Sequence, residues 1–254
     1  MSVAERKIGT GTDPVREARV DLAAAHRLAS HFGFDSGIFN HFTLTVPGAN
    51  GRFLVKAHGL LMSEITASNL IVVDGTGAVV EGEGIVETTA FCIHSKIHEL
   101  HPEAKCVLHA HPPYGTWLAD LKDGHLEMVD QDSLRFFDRI AYDEDYGGLA
   151  LDLAEGERIA RTMGDKPILI SRSHGVTVTA ATVSRAFDDL YYLEGACARQ
   201  FRVYASGREA EMIPQAVLDR LGNGYDDEYR AEAARLYFDA LKRVLDDVMP
   251  GYDD

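Results

Sequence analysis

Two pairs of short strand segments, each pair joined by a tight turn, restrict the fold of this chain more than any other feature. HFTLTV (41–46) and RFLVKA (52–57) flank the turn PGANG, and LIVVDGTGAVVEG (70–82) holds a second pair around Asp-Gly-Thr-Gly. Strands joined by so few residues pair antiparallel, because a parallel crossover needs a dozen residues or more. The sequence therefore predicts a mostly antiparallel sheet.

Helical periodicity appears between and after these strand pairs. Apolar residues recur at helical spacing from Pro14 to the glycine at position 33, and again near 87–101, 153–163, 182–204 and 227–248. The segment 166–180 predicts two further strands broken at His174-Gly175. Strands that arrive as hairpins, rather than in strict alternation with helices, favour an α/β fold with a central antiparallel sheet and helices on its faces.

Length and charge narrow the class of protein. The 254 residues suit one domain, and the formal net charge of −15 makes a nucleic-acid partner a poor match. Three widely separated cysteines predict no disulfide framework, which favours a reducing compartment. The sequence contains no run of about eighteen apolar residues, which a membrane span would need. We expect a cytoplasmic protein. Residues 1–13 are predicted to form a loose arm.

A buried strand followed by two histidines is the strongest sign of chemistry. In KCVLHAHPPYG (105–115), His109 and His111 are two positions apart and so leave a strand on the same face. A third candidate, His174, lies where another strand meets a glycine. Three neutral imidazoles with an open fourth position form a common catalytic zinc site, and other divalent ions can use the same ligands. Spacing alone predicts a shared metal ion for His109 and His111 and does not place His174 beside them, because 65 positions separate His174 from His109.

The helix near 87–101 carries three more histidines, His94, His98 and His101, at i, i+4 and i+7. That spacing could bind metal on one helix face. A zincin helix, however, has a glutamate beside the first histidine, and Ser-Lys-Ile separates His94 from His98 here. We expect His94 to pack or hydrogen-bond behind the main site.

These motifs, in this order, resemble the class II aldolase/adducin family. The resemblance rests on LLMSEITASNLIVVDGTGAVVEG (60–82), EGIVETTAFCIHSKIH (83–98), the His-x-His strand and KPILISRSHGVTV (166–178). It implies a three-layer α/β/α fold over a single domain, with a core at about 15–205 and a helical tail at about 206–254. It also implies metal binding by the three histidines and a homotetramer with sites at subunit interfaces.

The sequence departs from the sugar-phosphate aldolases of that family at one position. Those enzymes carry Ser-Ser-Glu where this chain has Thr88, Thr89 and Ala90, and their glutamate binds the metal and moves the proton. Alanine can do neither, and adducin-like members lack the glutamate as well. The candidate replacements are Glu87, His41 and Tyr142. The alternative for Glu87 is helix capping, and the alternative for His41 is a structural role. Tyr142 could instead belong to the rim of the core.

The resemblance also suggests where a substrate would bind. Asn40 and the two threonines, Thr88 and Thr89, correspond to hydrogen-bonding positions of the family. Bulky residues follow Gly59, and Lys56 is the one basic residue of these segments, so the pocket suits a phosphate poorly. We therefore predict a metal-dependent carbon–carbon lyase, by retro-aldol cleavage or decarboxylation, acting on a small and possibly aromatic carbonyl or acid. Zn²⁺ is the expected metal, with Mn²⁺ or Fe²⁺ as alternatives; an Fe(II) oxygenase and a non-catalytic adducin-like module are the competing hypotheses.

Overall fold

A computed structural model describes residues 13–221 and 227–254, so the expected N-terminal arm lies almost wholly outside the described residues. Its eight strands are β1 (His41–Thr45), β2 (Arg52–Lys56), β3 (Leu70–Asp74), β4 (Val79–Glu81), β5 (Cys106–Ala110), β6 (Ile140–Asp143), β7 (Ile168–Ser171) and β8 (Gly175–Ala180). Its helices are α1 (Pro14–Phe32), α2 (Thr88–Leu100), α3 (Pro113–Asp120), α4 (Leu153–Met163), α5 (Val183–Ala205), α6 (Gln215–Leu221) and α7 (Asp227–Val248). Within the described residues, no helix is long and apolar enough to span a membrane.

All eight strands belong to one sheet in the order β4-β3-β2-β1-β5-β8-β7-β6. Every neighbouring pair is antiparallel except β6 and β7, which run parallel. The two predicted hairpins are β1–β2 and β3–β4. The prediction of a mostly antiparallel α/β sheet is thus confirmed, and β6 is its one parallel member.

The residues of β1 and β5 alternate between two helical layers. Phe42, Leu108 and Ala110 pack in the main hydrophobic cluster beneath α1, α3, α5 and α7. Val107 packs on the other side, in a cluster with α2 and α4. Because strand side chains alternate between faces, the polar residues of odd number on both strands face α2. The fold therefore directs these polar side chains into one layer of the three-layer α/β/α arrangement.

The C-terminal segment packs on the core. Phe238, Leu241 and Leu245 of α7 belong to the main hydrophobic cluster together with α1 and α5. The buried Arg27 of α1 donates to the carbonyl oxygens of Met249 (3.1 Å) and Gly251 (3.3 Å). These contacts tie the residues after α7 to the first helix.

Strand β8 begins unusually close to the end of β5. A Cβ atom added to Gly175 would lie 2.5 Å from Cδ2 of His111 and 2.7 Å from the carbonyl oxygen of Ala110. The second of these atoms belongs to the backbone of a central strand and has little freedom to move. Glycine at this position therefore lets the β7–β8 turn approach the segment that follows β5.

Replacement of that glycine is expected to destabilise the protein. We predict that Gly175→Ala lowers the free energy of unfolding by about 1–3 kcal/mol, the usual cost of forcing extra atoms into a packed site. Urea unfolding at fixed protein concentration measures it. The control is Gly195→Ala in α5, where the added Cβ meets only the end of the Arg199 side chain at 3.4 Å; it should leave stability unchanged or raise it. Equal stability of the two variants would contradict the close approach.

Candidate metal centre

The structure brings His109, His111 and His174 together. One ring nitrogen from each lies within 4.8 Å of the others. The ring centroids are 4.6 Å apart for His109 and His174, and 5.0 Å apart for both other pairs. His109 is buried, and the other two rings are half-buried. The three residues thus form a compact group of nitrogen ligands at the edge of the interior, and we call them the three-histidine centre.

Antiparallel pairing of β5 with β8 explains why residues 65 positions apart meet. The register pairs His109 with Thr177 and Ala110 with Val176, so the start of β8 lies beside the end of β5. His174 immediately precedes β8 and follows Ser173, whose φ of 55° is the left-handed conformation of a tight turn. His111 lies just beyond β5, where its backbone N–H donates to the Phe34 carbonyl oxygen (3.3 Å).

The hydrogen bonds of His109 suit a metal ligand. Its Nδ1 lies 3.1 Å from the carbonyl oxygen of Val176, which can only accept, so Nδ1 carries the proton. In the neutral ring Nε2 then holds a lone pair, and it lies 3.2 Å from Nε2 of His111. A backbone carbonyl that receives the second N–H is the usual support for a metal-bound imidazole. The donor set present here therefore fits a divalent cation.

Burial keeps this centre neutral. It lowers the pKa of His109 well below the usual value and that of His111 to about 4, and neighbouring His174 adds to both shifts. Burial also lowers the pKa of His174, against the opposing effect of Asp143. Neutral imidazole is the form that binds metal, so the ligand nitrogens are available without loss of a proton near pH 7.

His41 lies directly against the centre. It pairs with His109 across β1 and β5, and the two rings are 5.0 Å apart. Its Nδ1 is 2.9 Å from Nε2 of His94, which confirms the expectation that His94 hydrogen-bonds behind the site. Burial lowers the pKa of His41 to about 3, and the charge of Lys56 adds to that shift while Glu87 opposes it. His41 is therefore a neutral ring in contact with the candidate ligands.

Glu87 caps α2. Its carboxylate accepts hydrogen bonds from the Ala90 N–H (2.8 Å) and from the Thr89 hydroxyl. Burial by itself would raise the pKa of Glu87, but these hydrogen bonds outweigh it and the pKa lies below its usual value. The capping alternative accounts for these contacts. Ala90 is buried at the start of the helix, with no group that could bind a metal or move a proton.

The predicted substrate residues differ in their surroundings. Asn40 is fully buried, and neither the oxygen nor the nitrogen of its side-chain amide has a partner among the described residues. Buried polar groups are nearly always satisfied, so this amide is suited to a bound polar group. The Thr89 hydroxyl is already engaged with Glu87, and Thr88 is exposed.

Tyr142 lies on β6. Its hydroxyl oxygen accepts a hydrogen bond from the Leu126 N–H (3.0 Å), and its ring stacks on His125 with 4.0 Å between centroids. Burial raises its pKa to about 12. No hydrogen bond or ring contact within the described residues joins it to the three-histidine centre. These surroundings suit the alternative of a residue at the core rim.

Two features near the site were not predicted from the sequence. Helix α3 begins at Pro113, two residues after His111, and its first N–H groups donate to the carboxylate of Glu194 from Tyr114 (2.9 Å) and Gly115 (2.8 Å). The signal available in the sequence was Pro112-Pro113, because proline is favoured in the first turn of a helix. Glu194 lies inside α5, and nothing in its local sequence marks it as a cap for another helix.

A cavity of about 780 Å³ opens at the other end of β1. Leu44, Phe53 and His98 contribute to its wall, and none of the three candidate ligands borders it. The cavity is therefore separate from the three-histidine centre, and its size gives no information about the chemistry there.

Comparison with known proteins identifies the family. The model of the class II aldolase and adducin N-terminal domain matches residues 20–201. A "Putative aldolase class 2 protein" of Caulobacter vibrioides is 35% identical over 244 residues, covering 94% of this chain and 92% of that protein. Mouse alpha-adducin is 32% identical over 247 residues, which cover 91% of this chain but 33% of adducin.

A solved structure shows the same fold. The L-fuculose 1-phosphate aldolase of Glaciozyma antarctica superposes with a TM-score of 0.79 at 26% identity, covering 94% of this chain and 95% of that one. The similar proteins thus include an L-fuculose 1-phosphate aldolase and an alpha-adducin, so membership of the family leaves the activity of this chain open. By sequence and by fold, the chain belongs to the class II aldolase/adducin family.

Proposed function

We propose that this protein is a metal-dependent carbon–carbon lyase, acting by retro-aldol cleavage or decarboxylation on a small carbonyl or acid substrate without a phosphate group. The observation that carries the proposal is the convergence of His109, His111 and His174, with the Nδ1 proton of His109 held by a carbonyl oxygen. These residues would hold the cation, and three imidazoles favour Zn²⁺, with Mn²⁺ or Fe²⁺ as alternatives. A bound divalent ion would polarise a carbonyl or phenolate oxygen of the substrate.

His41 is the residue we assign to proton handling. In a retro-aldol reaction, the hydroxyl group loses its proton, the adjacent carbon–carbon bond breaks, and the electron pair moves toward the carbonyl oxygen. His41 contacts His109, and Nε2 of His41 bonds to none of the described residues, so it is placed to accept that proton. Because burial lowers the pKa of His41 to about 3, a bound cation would have to make the substrate hydroxyl group more acidic for this transfer. Glu87 is the alternative base and Tyr142 the alternative acid. Both are weaker candidates, because Glu87 is engaged in capping α2 and the Tyr142 hydroxyl group is hydrogen-bonded to Leu126.

The surroundings of Asn40 support a substrate without a phosphate group. The unpartnered Asn40 amide can bind one polar group. The nearby cation Lys56 already donates to the carbonyl oxygens of Ile38 (2.7 Å) and Leu60 (3.0 Å), so its charge is committed to the protein. Phe39, which immediately precedes Asn40, has a side chain that is 62% exposed. It provides apolar surface rather than a positive charge that could balance a phosphate. An aromatic or otherwise apolar carbonyl compound fits these surroundings.

The similarity to mouse alpha-adducin favours a second candidate, a non-catalytic module that kept the fold. Ala90 occupies the place of the aldolase glutamate, which is consistent with that alternative. Metal content separates the candidates: a stoichiometric metal supports an enzyme, iron in that site supports an oxygenase, and a purified chain that binds no metal supports the module.

The ligand assignment predicts the metal content of variants. We expect His109→Ala to reduce bound metal from about one ion per chain to well below stoichiometric, because Nε2 of His109 is lost from the ligand group. Elemental analysis after dialysis measures this content. His31→Ala, at an exposed position on α1, is the matched control and should keep full occupancy. Full occupancy in His109→Ala would show that the assignment is wrong.

The absence of the aldolase glutamate predicts poor activity on sugar phosphates. General acid–base catalysis contributes roughly 10²–10⁴-fold, and Ala90 cannot supply it. Fuculose 1-phosphate and rhamnulose 1-phosphate should therefore be cleaved far more slowly than the best of a panel of β-hydroxy carbonyl compounds and hydroxylated aromatic acids. Product release measured side by side on metal-loaded protein tests this. Rapid cleavage of either sugar phosphate would refute the proposed substrate class.

We also propose a homotetramer in the cytoplasm. The support is family membership, three buried free cysteines, and exposed Leu149 and Leu151, whose side chains are 70% and 61% accessible. Such apolar surface is typical of a site of association. Light scattering at micromolar concentration is expected to give the mass of four chains, and the mass of one chain would contradict the proposal.

A further inference from the structure

Four buried or half-buried polar side chains form one continuous set of hydrogen bonds behind the three-histidine centre. His98 Nδ1 lies 2.9 Å from the Ala104 carbonyl oxygen, and His98 Nε2 lies 2.8 Å from the Thr43 hydroxyl oxygen. That oxygen is also 2.7 Å from His94 Nδ1, and His94 Nε2 is 2.9 Å from His41 Nδ1. We call His98, Thr43, His94 and His41 the histidine chain.

The direction of every bond in the histidine chain follows from its first member. A carbonyl oxygen can only accept, so the proton of His98 must be on Nδ1 and its Nε2 must carry a lone pair. The Thr43 hydroxyl has one proton, which it donates to that lone pair. The same oxygen then accepts from His94, so the proton of His94 is on Nδ1.

The last bond of the histidine chain joins His94 to His41. With its proton on Nδ1, neutral His94 has a lone pair on Nε2, and His41 must donate to it from Nδ1. Neutral His41 is then left with a lone pair on Nε2, the nitrogen that bonds to none of the described residues. Because the His41 ring packs against His109, this lone pair belongs to the surroundings of the candidate metal ligands.

A charged ring would not fit this order of hydrogen-bond donors and acceptors, since both nitrogens of an imidazolium donate. Burial argues against such a charge. His94 is fully buried, and no carboxylate lies among its hydrogen-bond partners, so ionisation would be costly. Burial accordingly lowers the pKa of His94 well below its usual value and that of His98 to about 4. Both rings are neutral near pH 7.

We propose that Thr43, His94 and His98 are positioning residues: anchored on the Ala104 carbonyl oxygen, they hold the proton of His41 on Nδ1 and leave its Nε2 as a hydrogen-bond acceptor beside the three-histidine centre. The role of this acceptor in turnover rests on the proposed function. The tautomer itself is a property of the folded chain. The histidine chain does not carry protons through the protein, because it ends on a carbonyl oxygen that cannot give one up.

The test is to read the tautomers directly. In protein labelled with ¹⁵N-histidine, long-range ¹H–¹⁵N correlations distinguish a protonated ring nitrogen from a bare one. Each ring is assigned by the loss of its signals in a single His→Gln variant. We expect the proton on Nδ1 of His41, His94 and His98 in the wild type. A proton on Nε2 of any of the three would overturn the proposal.

Substitutions at Thr43 separate positioning from a general structural role. Thr43→Val keeps the shape of this buried residue but removes the hydroxyl, so nothing holds the His94 proton on Nδ1 and the Nε2–H tautomer of His41 should become populated. Thr43→Ser restores the hydroxyl and should restore the wild-type tautomer. An unchanged His41 tautomer in folded Thr43→Val would overturn the proposal. If Thr43→Val does not fold, the three wild-type tautomers decide the question alone.

The tautomer of His41 can be tested independently of the proposed reaction. The tautomers can be read on metal-free and zinc-loaded protein without any substrate. The expected tautomers in a protein that cleaves nothing would refute the lyase and leave the positioning intact. Active protein whose His41 carries its proton on Nε2 would refute the positioning and leave the lyase intact.

Discussion

The antiparallel pairing of β5 with β8 is the constraint on which the candidate site depends. It places the start of β8 beside the end of β5, so His174 meets His109 and His111 although 65 positions separate it from the first of them. The same pairing supplies the Val176 carbonyl oxygen that receives the Nδ1 proton of His109. Gly175 makes the approach possible, because a side chain there would collide with the end of β5. The ligands and the bond that orients one of them thus arise from a single strand register.

The side chains next to the centre are mostly neutral imidazoles. Ala90 supplies no carboxylate at the start of α2, and Glu87 is engaged in capping that helix. Buried neutral imidazoles surround the centre instead, with His41 against His109 and His94 behind it. In the proposed function, these imidazoles would hold a cation without a carboxylate ligand from this chain. The proposed substrate, which brings its own carboxylate or phenolate oxygen, suits this arrangement.

Sequence reasoning predicted the parts that local pattern and family resemblance encode. The hairpins, the long helices and the face shared by His109 and His111 follow from periodicity, and the grouping with His174 followed from motif order. The parallel strand β6 and helix α3 were missed: β6 is short and gains its stability from pairing with β7, and α3 is capped by the distant Glu194. The role of Thr43 was missed because one threonine in a strand carries no local signal, and its hydrogen bonds depend on packing between β1 and α2.

The most direct test of this account is anomalous X-ray diffraction at the zinc absorption edge, from crystals of the protein loaded with Zn²⁺. We predict one peak per chain, bound to a ring nitrogen of each of His109, His111 and His174 at about 2.0–2.1 Å, the usual zinc–imidazole distance. The nitrogen from His109 should be Nε2, since Nδ1 is engaged with Val176. A peak bound to other residues, or an empty centre at saturating Zn²⁺, would contradict the claim that these three histidines form a metal site.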